Sequence, residues 1–128
     1  MAGGPEPSGV RSNCSVTEQW LGTTVVLSCA GDLDMVTSSI LERHIDEALN
    51  RMPSTLIIDL SAVDFLASHG MGVLIGTYAC IAGRVEFAVV AHGSATSRPM
   101  TLLGLGEQFS MYATLDAALD GIGIRDDG

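Results

Sequence analysis

The sequence predicts an α/β fold: one domain with a four- to five-stranded mixed, largely parallel sheet and about four helices. Short β-branched or apolar runs alternate with segments of helical periodicity, and Gly or Pro residues mark several junctions. Such alternation is typical of parallel sheets with right-handed crossovers. The chain has 128 residues, 47% of them hydrophobic, which is enough for one core. We expect residues 13–120 to form this domain, 1–12 to be disordered and 121–128 to be an acidic tail.

The first half of the chain contains three predicted strands and one helix. The second strand is β-branched and apolar and lies between Gly22 and Gly31. The third is nearly continuous in Leu and Ile, as expected for a strand buried on both faces. Pro53 ends the helix that precedes it. We therefore predict strands over 16–19, 24–30 and 55–60, a turn over 31–34 and a helix over about 36–52.

The second half of the chain alternates three predicted helices with two strands. Gly83 ends the first of these helices, and Pro99 is tolerated in the first turn of the second. Thr114 caps the last helix, and Asp116 lies in its first turn, where negative charge is favoured. We predict helices over 68–82, 96–103 and 114–119, with strands over 85–91 and 109–112.

Charge and hydropathy narrow the class of partner. The formal net charge is −9, which argues against nucleic acid and anionic membranes, since both select clustered positive charge. A partner protein with a basic face is favoured instead. The longest apolar run, 71–82, is far shorter than the roughly 20 residues that span a bilayer. Residues 1–10 have neither the apolar nor the positive region of a signal peptide, so we expect a cytoplasmic protein.

The residues with catalytic or metal-binding chemistry are too scattered to suggest an enzyme. Cys14, Cys29 and Cys80 form no C-x-x-C spacing, which favours reduced thiols. We expect Cys29 and Cys80 to be small buried hydrophobes; a redox pair is the alternative. His44 and His92 suggest no metal site. The sequence contains no Gly-x-Ser-x-Gly elbow and no Walker A loop. We expect no catalytic residues, no metal and no cofactor.

The strongest candidate site is Ser68, which opens a glycine-rich apolar helix after a buried strand and a short acidic turn. We predict that Ser68 is the N-cap, because a hydroxyl there is exposed and lies next to unpaired backbone N–H groups that suit a phosphate. The alternative is an ordinary capping serine. For His69 the simpler interpretation is a solvent-facing residue of the first turn, and the other is pairing with a phosphate.

Four aspartates flank the two predicted turns. Asp34 is a candidate N-cap, and Asp32 lies in the same predicted turn. Asp59 lies within an apolar strand and should fix a loop through hydrogen bonds, because an unpaired buried carboxylate is costly. We expect Asp64 to be exposed near the predicted serine. The strands that precede the two turns should be parallel neighbours or near-neighbours in the sheet, so both turns should open on one edge of the sheet.

Three glycines in the predicted helix 68–82 need an explanation. Gly70, Gly72 and Gly76 each cost about 1 kcal/mol relative to alanine in a helix. Gly72 and Gly76 share one face, which indicates that something approaches the helix closely there. The sheet of the same domain is the first candidate, and a helix of a partner protein is the second.

These residues resemble the signature of the STAS domain family of bacterial anti-sigma factor antagonists. The matching positions are Asp59-Leu60-Ser61, Val63, Phe65-Leu66 and Gly70-Met71-Gly72. The resemblance covers about residues 13 to 120 and places the family's phosphoacceptor at Ser68. Two positions depart from the pattern: the family's aspartate before the serine is Ala67 here, and its second serine or threonine is His69.

The resemblance implies a partner-switching function without catalysis. An unphosphorylated antagonist binds an anti-sigma factor, typically a GHKL-type serine kinase, which then releases its sigma factor. Phosphorylation of Ser68 with ATP reverses this binding, and a PP2C-type phosphatase restores it. The alternative is a scaffold that binds constitutively and is not phosphorylated, as Ala67 and His69 would allow. We expect a monomer or weak dimer, with these partner-binding residues: Asp32, Asp34, Asp64, Ser68, His69, Met71 and Gly72.

Overall fold

In the computed structural model, which describes residues 14–122, the elements follow one another as an antiparallel hairpin and then alternating helices and strands. They are β1 (Cys14–Leu21), β2 (Thr24–Leu33), α1 (Ser38–Leu49), β3 (Thr55–Leu66), α2 (Ser68–Ile81), β4 (Glu86–Val90), α3 (Ser97–Leu102), β5 (Ser110–Tyr112) and α4 (Leu115–Ile122), with a 3₁₀ turn at Leu105–Glu107.

The five strands form one mixed sheet in the order β1-β2-β3-β4-β5. β1 is antiparallel to β2, and the pairs β2–β3, β3–β4 and β4–β5 are all parallel. The predicted fold class, with its largely parallel sheet and four helices, is confirmed. Among residues 14–122, no helix has both the length and the apolar character needed to cross a membrane.

Apolar side chains cover both sides of the sheet, but unequally. The larger cluster lies between the sheet and the helices α1, α2 and α3, to which Leu41, Leu74 and Met100 contribute. The smaller cluster lies on the other side, where α4 packs with Ala118 against Val26 and its neighbours. Burying each large aliphatic side chain contributes about 1.5–3 kcal/mol, so the larger cluster supplies most of the stability.

The two central strands continue beyond their predicted ends. The predicted turn over 31–34 is wrong, because β2 runs through Gly31 and Asp32 to Leu33, and β3 runs on to Leu66. Their pairing shifts register twice, so β3 carries extra residues as bulges. The bulges break the regular alternation of apolar residues, and this hid the strand in the sequence.

Several helix boundaries also differ from the prediction. α1 is shorter than the predicted 36–52, because the chain turns at Met52, with φ of 57°, before Pro53. α4 extends past Leu119 to Ile122. The predicted acidic tail therefore begins with two helical residues, whereas its remainder and the predicted disordered segment 1–12 lie outside the described residues.

Candidate functional site

The candidate site lies at the edge of the sheet where β2 and β3 end. Leu33 and Leu66 are register partners at the ends of these parallel strands. The Ala67 N–H donates a hydrogen bond to the Leu33 carbonyl at 2.8 Å, which ties the start of α2 to the end of β2. This confirms that the strands before the two acidic segments are parallel neighbours. Asp34 and Ser68 therefore follow strands that end at one edge.

Ser68 is the first residue of α2 and not its N-cap. The capping position is Ala67, which has extended backbone angles (φ −85°, ψ 170°) and whose carbonyl accepts the Met71 N–H at 3.1 Å. Ala67 has no side-chain oxygen to bond the first turn, so the N–H groups there receive no side-chain cap. Ser68 itself is exposed. Its hydroxyl thus stands at the positive end of a helix dipole, where added negative charge is favoured.

Asp34 holds the turn that leads into α1. Its Oδ1 accepts hydrogen bonds from the Val36 and Thr37 N–H groups, both at 2.9 Å, and Thr37 Oγ1 accepts the Asp34 N–H at 2.9 Å. This reciprocal arrangement is a capping box placed one turn ahead of Ser38, whose N–H reaches the Asp34 carbonyl at 2.9 Å. Asp34 therefore stabilises the turn before the helix, but its predicted position as the N-cap is wrong, because the N-cap of α1 is Thr37. The bonds, above all the one from the Thr37 backbone, lower the pKa of Asp34.

Asp32 lies near the end of β2, and Asp64 lies near the end of the neighbouring strand β3. Asp32 is half-buried and pairs in register with Phe65, and the Asp32 carbonyl accepts the Thr37 hydroxyl at 2.6 Å. Asp64 is exposed, as predicted, and is the extra residue of the second bulge. Asp32 is positioned by its backbone pairing and Asp64 by the paired residues on either side of it, so both carboxylates can contact a partner without ordering a loop first.

Asp59 has the local structural role that was predicted for it. Its Oδ1 accepts hydrogen bonds from the Ser61 N–H at 2.9 Å and the Ser61 hydroxyl at 2.5 Å. These bonds lie at the first bulge of β3 and satisfy a half-buried carboxylate. We therefore leave Asp59 outside the candidate contact surface.

The glycines of α2 do not behave as the sequence indicated. A Cβ at Gly70 would lie 2.8 Å from Leu66 Cδ1 and 3.2 Å from the Leu33 carbonyl oxygen, so the close approach of the sheet occurs there. Gly72 and Gly76 are exposed, with open space where a Cβ would stand. The sheet is therefore the wrong explanation for Gly72 and Gly76, because this face of α2 points away from it. The partner helix stays a prediction.

Met71 is buried, with 7% of its surface exposed, and belongs to the larger core cluster. The prediction that Met71 lies on the partner surface is therefore wrong. Gly72, the next residue along α2, is exposed, whereas Met71 faces the sheet. His69 is exposed, as its simpler interpretation required.

A depression of about 440 Å³ lies between α1 and α2, next to the candidate serine. It is lined by Glu42, Ser68, His69, Gly72 and Val73. Glu42 was not predicted as a site residue. Helical periodicity shows that it faces outward from α1, but only the packing of α1 on α2 brings it to Ser68. A carboxylate and an imidazole therefore face one space with the serine.

Three exposed apolar side chains near this edge were not predicted from the sequence. Met35 and Val36, which follow β2, are 66% and 70% exposed, and Phe65 near the end of β3 is 54% exposed. Exposed apolar side chains that cluster often mark contact sites for other proteins. The sequence did carry one signal: the apolar pair Met35 and Val36 does not continue the helical spacing of the buried positions of α1.

The three cysteines differ in burial. Cys29 is buried, as predicted, and burial, followed by the charges of Cys14 and Asp59, raises its pKa to about 12. Burial first, then Asp34 and Asp32, also raise the pKa of Cys14. The predicted burial of Cys80 is wrong, because it lies exposed on the last turn of α2. All three thiols are free, and among residues 14–122 no group of three His, Cys, Asp or Glu side chains could hold a metal ion.

Comparison with known proteins identifies the family of this chain. The sequence model of the STAS domain family matches residues 16–118. The chain is 45% identical over 97 residues to the anti-sigma-F factor antagonist RsfB of Mycobacterium tuberculosis strain H37Rv, covering 76% of this chain and 80% of that protein. It is 28% identical over 90 residues to an anti-sigma F factor antagonist of Paenibacillus polymyxa, covering 69% and 77%.

A solved structure gives the same result. The crystal structure of an anti-sigma factor antagonist from Mycobacterium paratuberculosis superposes with a TM-score of 0.83 at 40% identity, covering 86% of this chain and 94% of that one. The chain therefore belongs to the STAS-domain family of anti-sigma factor antagonists.

Proposed function

We propose that this protein, when unphosphorylated, binds an anti-sigma factor, and that the anti-sigma factor then releases its sigma factor. We further propose that phosphorylation of Ser68 ends this binding. The observation that carries the proposal is the exposed Ser68 hydroxyl in the first turn of α2, at the sheet edge where Asp34 and Asp32 also lie. The names of its relatives support the partner class.

The chemistry of the switch belongs to the partner kinase. We propose that the anti-sigma factor is a GHKL-type serine kinase that holds ATP. The Ser68 oxygen attacks the γ-phosphorus, an oxygen–phosphorus bond forms, and the bond from that phosphorus to the β–γ bridging oxygen breaks to release ADP. A base of the kinase takes the hydroxyl proton. A PP2C-type phosphatase would hydrolyse the ester, and this chain would need no cofactor.

Local charge explains why the phosphate would act on the partner and not on the fold. It would add about −1.5 to −2 charge, which the N-terminus of α2 stabilises. The new charge would share its depression with the Glu42 carboxylate, so the surface would become strongly negative. An apposed apolar or acidic patch of the partner would then be repelled, because like charges across an interface cost several kcal/mol.

Constitutive binding without phosphorylation is the second candidate function. It is favoured by Ala67, which stands where the family's pattern has an aspartate, and by His69 in place of the second hydroxyl residue. Under this alternative, the same surface binds a regulatory protein permanently and Ser68 only contributes a polar contact.

Intact-mass measurement after incubation with ATP and the cognate anti-sigma factor separates the two candidates. The switch requires one added phosphate on the wild-type protein and none on Ser68→Ala. Ser94→Ala, which removes another exposed serine hydroxyl, is the matched control and should gain one phosphate. An unmodified wild-type protein in a stable complex would favour the constitutive alternative.

A further inference from the structure

The side of the sheet that carries α4 is only half covered. α4 packs against β4 and β5 and shields Val26 and Ile57. Farther across the same side, Ser28 and Ala30 remain half-buried, although β2 has a neighbouring strand on each side. On the opposite side of the same strand, Leu27 is completely buried. Within the part of the chain that the structure describes, the β1–β2 half of this side therefore has no covering helix.

Strand register identifies the side chains on this surface. Ala30 pairs with Ala62 and Asp32 pairs with Phe65, whereas Leu33 and Leu66, the next pair, belong to the core on the opposite side. Because side chains alternate along a strand, Asp32 and Phe65 point to the uncovered side. We call this surface the open sheet face and define it by six residues: Thr17, Ser28, Ala30, Asp32, Ala62 and Phe65.

The open sheet face combines one exposed aromatic side chain with small neighbouring side chains and negative charge. Phe65 is 54% exposed, and its neighbours Ala62 and Ala30 are too small to shield it. Asp32 stands beside it, exposed Asp64 precedes it, and none of the six residues is basic. An exposed aromatic ring gains most when it enters a partner's apolar pocket, as the aromatic anchors of protein interfaces do.

We propose that the contact with the anti-sigma factor continues around the sheet edge onto the open sheet face, where Phe65 is its apolar anchor. The partner surface that fits has an apolar pocket for the Phe65 ring, bordered by an Arg or Lys side chain that meets Asp32. This inference rests on the proposed function and adds a second side to its surface. A second copy of this chain fits poorly, because its own Asp32 and Asp64 would be brought to the same carboxylates.

Two substitutions test the open sheet face against matched controls in a binding titration with the cognate anti-sigma factor. Phe65→Ala removes the anchor, and Ala62→Arg adds bulk and positive charge to the middle of the face. The controls are Leu102→Ala, which removes an apolar side chain that is 77% exposed on α3, and Ala117→Arg on an exposed position of α4. Thermal melts of all four variants should match wild type, since each position is exposed.

We expect Phe65→Ala and Ala62→Arg each to raise Kd at least about tenfold, as is usual for an aromatic anchor and its immediate surroundings, while both controls bind as wild type does. If both test variants bind normally while Ser68→Glu binds weakly, the open sheet face is not part of the contact, although the proposed function stands. If wild type itself binds no anti-sigma factor, the proposed function fails together with this inference. Sedimentation gives a further test. If the wild-type protein is a dimer and Phe65→Ala is a monomer, the open sheet face binds a second copy of this chain and not the anti-sigma factor, which would contradict the proposal.

Discussion

Leu33 and Gly70 meet where β2 ends and α2 begins: a Cβ at Gly70 would stand 3.2 Å from the Leu33 carbonyl oxygen and 3.1 Å from the Leu33 Cβ. The same carbonyl accepts the Ala67 N–H. The first turn of α2, and with it Ser68, is therefore held against the end of β2 at a close contact that an added Cβ would crowd.

Substituting this glycine should destabilise the fold. Gly70→Ala places a methyl group against backbone atoms and the Leu66 side chain, which should cost about 1–3 kcal/mol. Gly72→Ala and Gly76→Ala are the controls, since both have open space and a helical alanine is better by up to about 1 kcal/mol. Urea denaturation of the three variants measures the difference. Equal stability of Gly70→Ala and Gly72→Ala would show that the close contact is absent.

A carboxylate at the phosphorylation position should weaken partner binding without unfolding the domain. Ser68→Glu adds negative charge in the first turn of α2, which favours the helix, but it opposes a partner surface suited to the uncharged hydroxyl. We expect binding to the anti-sigma factor to weaken by about 1–3 kcal/mol, less than with phosphate, because Glu carries less charge. A thermal melt beside a binding titration checks both parts. Unchanged affinity, or loss of the fold, would count against the switch.

Reversing the charge of Asp32 should reduce binding to a basic partner surface. Asp32→Arg is compared with Asp116→Arg, which makes the same change in the first turn of α4. We expect the first variant to bind more weakly and association of the wild type to slow as salt rises, because exposed charges are screened. Melts of both variants control for folding, since Asp116 also favours its helix. If Asp116→Arg alone lost binding, the interface would lie elsewhere.

The capping box at Asp34 should make stability depend on acid pH. Its hydrogen bonds lower the pKa of Asp34 in the folded state, so the stabilisation is fully present above the unfolded value of about 4 and is lost as the pH falls through the lower folded value. Asp34→Ala should therefore be less stable than wild type at pH 7, with a smaller difference at pH 2. Asp34→Asn keeps the acceptor but not the charge, so its stability difference from Asp34→Ala should not vary with pH. Denaturation at both pH values tests this.

Local patterns predicted the alternation of elements, the parallel pairing at the site and the capping role of Thr114, whose hydroxyl accepts the Ala117 N–H at 3.0 Å. These features depend on neighbouring residues and on side-chain periodicity. The predicted N-cap was wrong by one residue, because the N-cap is Ala67 and not Ser68. Ala67 can adopt the extended backbone angles of an N-cap because its N–H is hydrogen-bonded to the Leu33 carbonyl at the end of β2.

Features that depend on packing between distant elements were not predictable from the sequence. Phe65 is exposed because, among the described residues, no helix covers its part of the sheet, although an aromatic residue in a strand normally indicates core. Likewise, three glycines in one helix look alike in the sequence, and only the approach of Leu33 separates Gly70 from Gly72. The approach of Glu42 to Ser68 requires the contact between α1 and α2.

We propose that a phosphate on Ser68 ends binding to the anti-sigma factor, and a titration with the phosphorylated protein measures this effect without further assumptions. The phosphoprotein is prepared with the cognate kinase, its single phosphate is assigned to Ser68 by peptide mass, and its affinity is measured beside that of the unmodified protein with no ATP present. We expect tight binding by the unmodified protein and at least about tenfold weaker binding by the phosphoprotein, with unchanged melting behaviour. Equal affinity of the two forms would contradict the proposal.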